Sequence, residues 1–241
     1  MSSEKSRYHA VMTALLYPAI LGALIYEGLA ILGIQINNGL FTDSHTVPFL
    51  LNLLLIVALI ILYIYDFVYT VWDDEEGGYG KLKFTFDLLI VMCLYSAIKV
   101  TFNTTGVHIN KEDIKFTGFF NNPLVWLIGT KVLATAWEFL GIYHKVSWDW
   151  LKIWESLKNW KSLKDFDFSS DFLLGIGYIV IYVLQRKDVL SSPAWILFWT
   201  LLVVLLDIYY YYDDAKRRAS NPQAYRIRRI RFVTRLTKVI K

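Results

Sequence analysis

The chain has 241 residues, of which 56% are hydrophobic and 19% charged. Soluble domains average roughly 25% charged and 45–50% apolar residues, so this balance argues against an ordinary soluble domain and for a membrane protein. The net charge of +4 conceals an asymmetry: from Lys216 onward there are ten Lys and Arg and no acid, which leaves fifteen basic against twenty-one acidic residues before it.

The apolar segments define an all-α, polytopic membrane helix bundle. A crossing needs about 20 mostly apolar residues, and six stretches are candidates: 11–34, 48–72, 84–102, 122–143, 171–187 and 193–212. In the first, Ala19, Ala23, Glu27 and Ala30 fall in one stripe. Small residues at that spacing let helices approach closely in lipid, and they predict a homo-oligomer. Pro18 bends this segment. The segment is also too long for the apolar core of a cleavable signal peptide. The fifth stretch is short; Arg186 and Lys187 must reach the surface for it to cross, or it forms a hairpin with the sixth that does not cross fully.

Lys and Arg in short loops set orientation. Lys5 and Arg7 precede the first segment, five lysines (Lys145, Lys152, Lys158, Lys161, Lys164) follow the fourth, and the basic tail follows the sixth. Six crossings with both termini cytoplasmic put all of these on one side, as expected for a plasma (inner) membrane protein. The loop after the fourth segment carries a second feature: at 100° per residue, Trp150, Ile153, Trp154, Leu157 and Trp160 share an arc. It predicts an amphipathic helix over about 148–163, lying at the cytoplasmic interface where tryptophan is favoured.

The chain divides into a transmembrane bundle over 1–215 and a basic tail over 216–241. Arg226, Arg229, Arg235, Lys238 and Lys241 recur at multiples of three, as in a voltage-sensing helix. The tail is too short to span, however, and plots as an amphipathic helix with Arg228, Arg231, Arg235 and Lys238 on its polar half. It predicts contact with anionic lipid headgroups or a cytoplasmic partner protein, with no specific recognition of nucleic acid.

Ionisable residues inside membrane helices are costly and mark functional sites. The set here is Glu27, Asp66, Asp87, Lys99, Lys131, Glu138 and Asp207. The direction of each segment places Asp66, Asp87, Glu138 and Asp207 at one level near the cytoplasm, with Lys131 closer to the middle. Segments two and six end alike, DFVYTVWDD and DIYYYYDD, each with an acid, a tyrosine three residues on (Tyr69, Tyr210) and an acid seven on (Asp73, Asp214).

This arrangement predicts an oligomeric cation channel or small-solute transporter whose acidic inner vestibule attracts the ion and whose Lys131 limits passage. The alternative is a non-conducting anchor or sensor subunit that recruits an effector through its tail and Trp-rich helix. A third reading, paired aspartates holding Mg²⁺ against a diphosphate, lacks any accompanying catalytic constellation: there is no phosphate-cradling glycine loop, HExxH or Ser-His-Asp set. The four histidines are scattered and Cys93 is the single cysteine, so no metal, cofactor or disulfide is expected.

Overall fold

The computed structural model describes residues 8–37, 46–75, 81–109, 119–143 and 170–220. They are helical, with no strand among them. A π-helical segment, Val11–Leu16, leads into α1 (Tyr17–Asn37); α2 (Thr46–Glu75), α3 (Lys81–Ile109), α4 (Pro123–Tyr143), α5 (Ser170–Arg186) and α6 (Pro193–Ser220) follow. The expected apolar segments lie largely on these helices, the first of them across the π-helical segment and α1. Four stretches are long and apolar enough to cross a membrane: Tyr8–Ala30, Val47–Val68, Lys83–Asn103 and Pro193–Lys216. Pro123–Trp137 is a shorter apolar stretch, and α5 does not meet the same criterion. The helix expected over 148–163, with Trp150, Trp154 and Trp160, lies outside the described residues, as do Arg228, Arg231, Arg235 and Lys238 of the tail.

A π-helical turn precedes Pro18. Proline has no N–H to give to the carbonyl four residues back. Just before it the ladder widens, and the Tyr17 N–H reaches the carbonyl of Met12, five residues away. A π turn of this kind shifts the register by one residue. Met12 and Tyr17 are both buried.

Helices α2, α3, α4, α5 and α6 form a closed ring: α2 packs on α3, α3 on α4, α4 on α5, α5 on α6, and α6 returns to α2. Helix α1 docks outside the ring, mainly against α3. On α2 the buried positions Asn52, Leu55, Leu59, Leu62 and Tyr63 follow the helical period, and the opposite face exposes Leu54, Val57, Ile61 and Ile64. A helix apolar on all sides suits a lipid-facing bundle. In lipid the burial of apolar surface does not drive helices together, so close packing and polar ties must. One such tie joins α2 to α3, where the Asn52 amide donates to the Thr101 carbonyl at 3.2 Å.

The connection from α5 to α6 is short and capped. Asp188 has φ of 56°, the left-handed conformation that aspartate tolerates better than most residues. Its N–H bonds the Gln185 carbonyl at 3.1 Å, and the Val189 N–H bonds the Leu184 carbonyl at 3.0 Å. This pair of bonds is a Schellman cap. At the same end, Asn122 caps α4 through its Oδ1, which accepts from the Leu124 N–H at 3.0 Å. Its amide donates to Gln185 Oε1 at 2.7 Å. Helices α4, α5 and α6 are thereby pinned together at one end, and this sets the register of the charges at the other.

Candidate functional site: a lysine held by two aspartates

Lys131, in the middle of α4, is 2% exposed, as buried as the core leucines. Its long side chain is admitted by Gly175 on α5: a Cβ built on that glycine would lie 3.3 Å from the Lys131 Cβ. The lysine runs along the face where a larger residue would stand. Its ammonium donates to Asp171 Oδ1 at 2.6 Å and to Asp207 Oδ1 at 2.7 Å. Asp171 lies four residues before Gly175, one turn along the same face of α5. Asp207 comes from α6, and its Oδ2 also lies 2.7 Å from the ammonium. Tyr211, one turn beyond Asp207, places its ring centroid 5.4 Å from the same nitrogen, a cation–π contact. Tyr211 in turn stacks on Tyr65 of α2 at 6.2 Å.

The node therefore ties α4, α5 and α6 through one cation. Asp207 is almost wholly buried, whereas the Asp171 side chain keeps 18% of its surface. Asp171 forms the wetter edge of the node and Asp207 the dry one. Tyr178, two turns along α5 from Asp171, is fully buried, and its hydroxyl has no hydrogen-bond partner.

A second polar cluster joins α1 to α2. The Tyr17 hydroxyl donates to Asp66 Oδ2 at 2.5 Å and lies 3.0 Å from Thr70 Oγ1. The Tyr63 hydroxyl bonds the Tyr17 carbonyl at 3.1 Å. His9 Nε2 lies 3.1 Å from the Thr70 carbonyl. The first turn of the leading segment is thus tied to the end of α2.

Two further acids have basic partners. Asp87 on α3 pairs with Lys83 one turn earlier at 2.8 Å, and that ammonium lies 5.1 Å from the Trp137 ring of α4. Glu27 of α1 pairs with Lys99 of α3 at 2.6 Å, each side chain about one-third exposed (31% and 35%). Glu138 lies on α4, and its side chain is outside the described residues. No group of three or more His, Cys, Asp and Glu side chains is placed to hold a metal among the described residues.

The sequence places Lys131 apart from the acids in depth; the structure brings its ammonium onto Asp207. Cα depth misled here because a lysine reaches about a full turn from its own backbone. Asp171, Tyr17, Tyr178 and Gly175 belong to these clusters and were not picked out from sequence. One signal for Asp171 was available: a buried lysine requires a carboxylate partner, and Asp171 lies in the opening turn of α5.

No protein-family model, curated protein or solved structure matches this chain.

Proposed function

We propose that the chain is an integral membrane transport protein for a small cation, with the Lys131–Asp171–Asp207 node as its ion-handling site. The observation that carries this reading is the charge inventory of the node: one ammonium against two carboxylates, enclosed by three helices. Such a node holds more negative charge than its own lysine neutralises. Lys131 acts as a tethered cation that occupies the site when no ion is present, and an arriving cation competes with it for the carboxylates. Asp171, at the wetter edge, is the entry side.

The acids Asp66, Asp87 and Asp207 each have a protein partner, which favours a gated, occluded carrier over a permanently open acidic vestibule. Glu138 and Glu27 complete the set of intramembrane acids assigned to the pathway. Oligomers form through α1, where Ala19, Ala23 and Ala30 remain exposed on the outer side of the bundle. Both termini are cytoplasmic, six segments cross, and the plasma (inner) membrane is the site of action. The Trp-rich segment and basic tail bind anionic headgroups there.

The test is uptake of monovalent cations into proteoliposomes along an imposed gradient. Wild-type flux that falls tenfold or more in Asp207→Asn supports the reading. Wild-type vesicles as tight as protein-free ones, with and without a membrane potential, overturn it.

A non-conducting anchor or sensor subunit is the second reading, because the same partnering of Glu27, Asp66, Asp87 and Asp207 also suits a rigid scaffold. Purification from native membranes separates the two readings. A stoichiometric cytoplasmic protein lost on deletion of the tail supports the anchor.

A further inference from the structure

The helix ring fixes which side chains of α4, α5 and α6 turn inward. On α5, a Cβ on Gly175 would lie 3.3 Å from the Lys131 Cβ of α4, and one on Gly177 would lie 3.5 Å from Val203 of α6. At about 100° per residue, Tyr178 falls on the arc between these two contacts, and the exposed Ile176 falls opposite it. On α4, a Cβ on Gly129 would lie 3.3 Å from the Cys93 sulfur of α3, and Lys131 faces α5. Buried Thr130 falls between these directions, with exposed Val132 opposite. On α6, Val203 faces α5 and Tyr211 faces Tyr65 of α2. Buried Thr200 falls between them, with exposed Leu202 opposite.

Three hydroxyl-bearing residues thus turn toward the ring interior from adjacent helices. The pairings of Lys131 with Gly175 and of Gly177 with Val203 set their levels. At 1.5 Å per residue, the backbones of Thr130, Tyr178 and Thr200 lie within about 6 Å of one another along the bundle axis. All three are on the side of Lys131 away from Asp171 and Asp207, toward the Asn122–Gln185 bond. A helical side chain leans toward the N-terminus of its helix, so Tyr178 reaches back toward the node, and the charges of Asp207 and Asp171 bear on it.

Tyr178 is fully buried, and its hydroxyl has no hydrogen-bond partner among the described residues, an uncommon condition for a buried polar atom. Thr130 donates its hydroxyl proton to the Trp126 carbonyl at 3.0 Å, and Thr200 donates to the Ile196 carbonyl at 2.7 Å. Each threonine oxygen keeps its lone pairs and has no proton left to give. Oxygen donors of this kind suit hard cations. Neutral oxygens alone hold such an ion loosely, but the node beside them carries one more negative than positive charge. Attraction to that charge is strong where water is excluded, and a single net charge matches a monovalent ion.

We propose that the hydroxyls of Tyr178, Thr130 and Thr200 form a second resting position for one dehydrated alkali cation, inside the ring and next to the Lys131–Asp171–Asp207 node. The proposal rests on the transport reading for the ion's route. An ion that enters on the Asp171 side and passes the carboxylates meets these hydroxyls next.

Thermal unfolding of the purified full chain in detergent tests it, with NaCl or KCl replaced stepwise by N-methylglucamine chloride at constant ionic strength. The wild-type midpoint is expected to rise with Na⁺ or K⁺, as for a ligand bound only by the folded state. Tyr178→Phe removes a hydroxyl without a partner, so its midpoint in the absence of alkali cation is expected to equal or exceed that of the wild type. It is expected to need at least tenfold more cation for the same rise. Thr200→Val should weaken the response and Thr200→Ser should retain it. A wild type indifferent to both cations, a Tyr178→Phe response equal to the wild type's, or a Tyr178→Phe midpoint already lowered without cation overturns the site. Proteoliposome flux separates that failure from failure of the transport reading. Stabilisation lost in Tyr178→Phe, with no wild-type flux, supports the site and removes transport; wild-type flux that Tyr178→Phe leaves unchanged keeps transport and overturns the site.

Discussion

Gly175 and Lys131 are in backbone-level contact: the Cβ that Gly175 lacks would sit 3.3 Å from the Lys131 Cβ. The absence of a side chain on α5 is what lets a lysine on α4 lie between helices and reach a carboxylate one turn away. Gly175→Ala is expected to have a small effect, since a few tenths of an ångström of movement relieves the contact. Gly175→Leu overpacks the seam and is expected to cost about 1–3 kcal/mol. Denaturation midpoints in detergent check both, and the leucine variant should also displace Lys131 from Asp171.

Removing the cation is more damaging than removing either anion. Lys131→Met leaves two buried carboxylates facing each other, and loss of one partner from a buried pair costs about 3–5 kcal/mol. Replacing all three members, Lys131→Met with Asp171→Asn and Asp207→Asn, removes the uncompensated charge and is expected to recover most of that loss. The comparison of single and triple variants by denaturation midpoint decides it: additive losses would contradict a single shared node.

Tyr17 and Asp66 hold α1 to α2 through one short hydrogen bond. Tyr17→Phe leaves the Asp66 carboxylate short of a donor and is expected to cost about 1–3 kcal/mol. Tyr17→Phe combined with Asp66→Leu should cost less than the sum of the two singles. Since α1 lies outside the helix ring, these variants should loosen the first helix while leaving α2–α6 protected. Hydrogen exchange along α1 is the direct readout.

The positions of the helices were legible because long apolar runs are broken by polar and Gly- or Pro-containing stretches. The intramembrane charges were legible for the same reason: Lys131 and Asp207 stand out against leucine and valine. Their pairing was not, since Lys131 meets partners 40 and 76 residues away, and the helix ring decides which segments face each other. Tyr17 and Tyr178 were lost among sixteen tyrosines, since a tyrosine in an apolar run reads equally as core, lipid contact or interface. Gly175 was hidden because a glycine in a membrane helix is common, and only the opposite helix reveals what it admits.

The turn at Asp188 is a local test of how the α5–α6 hairpin sets the node. Asp188→Gly relieves a left-handed position and is expected to be neutral or mildly stabilising. Asp188→Val places a β-branched residue where φ is 56° and is expected to cost about 1–2 kcal/mol. If the hairpin register governs the distance between Asp171 and Asp207, the valine variant also lowers flux.

The central claim is that the charged node handles ions rather than only holding helices together. Cation flux into proteoliposomes by the triple variant Lys131→Met, Asp171→Asn, Asp207→Asn, normalised to folded protein, tests it most directly. The account predicts a wild-type flux that is lost in a triple variant retaining a near-native denaturation midpoint. Equal flux per folded molecule in the two proteins would contradict it.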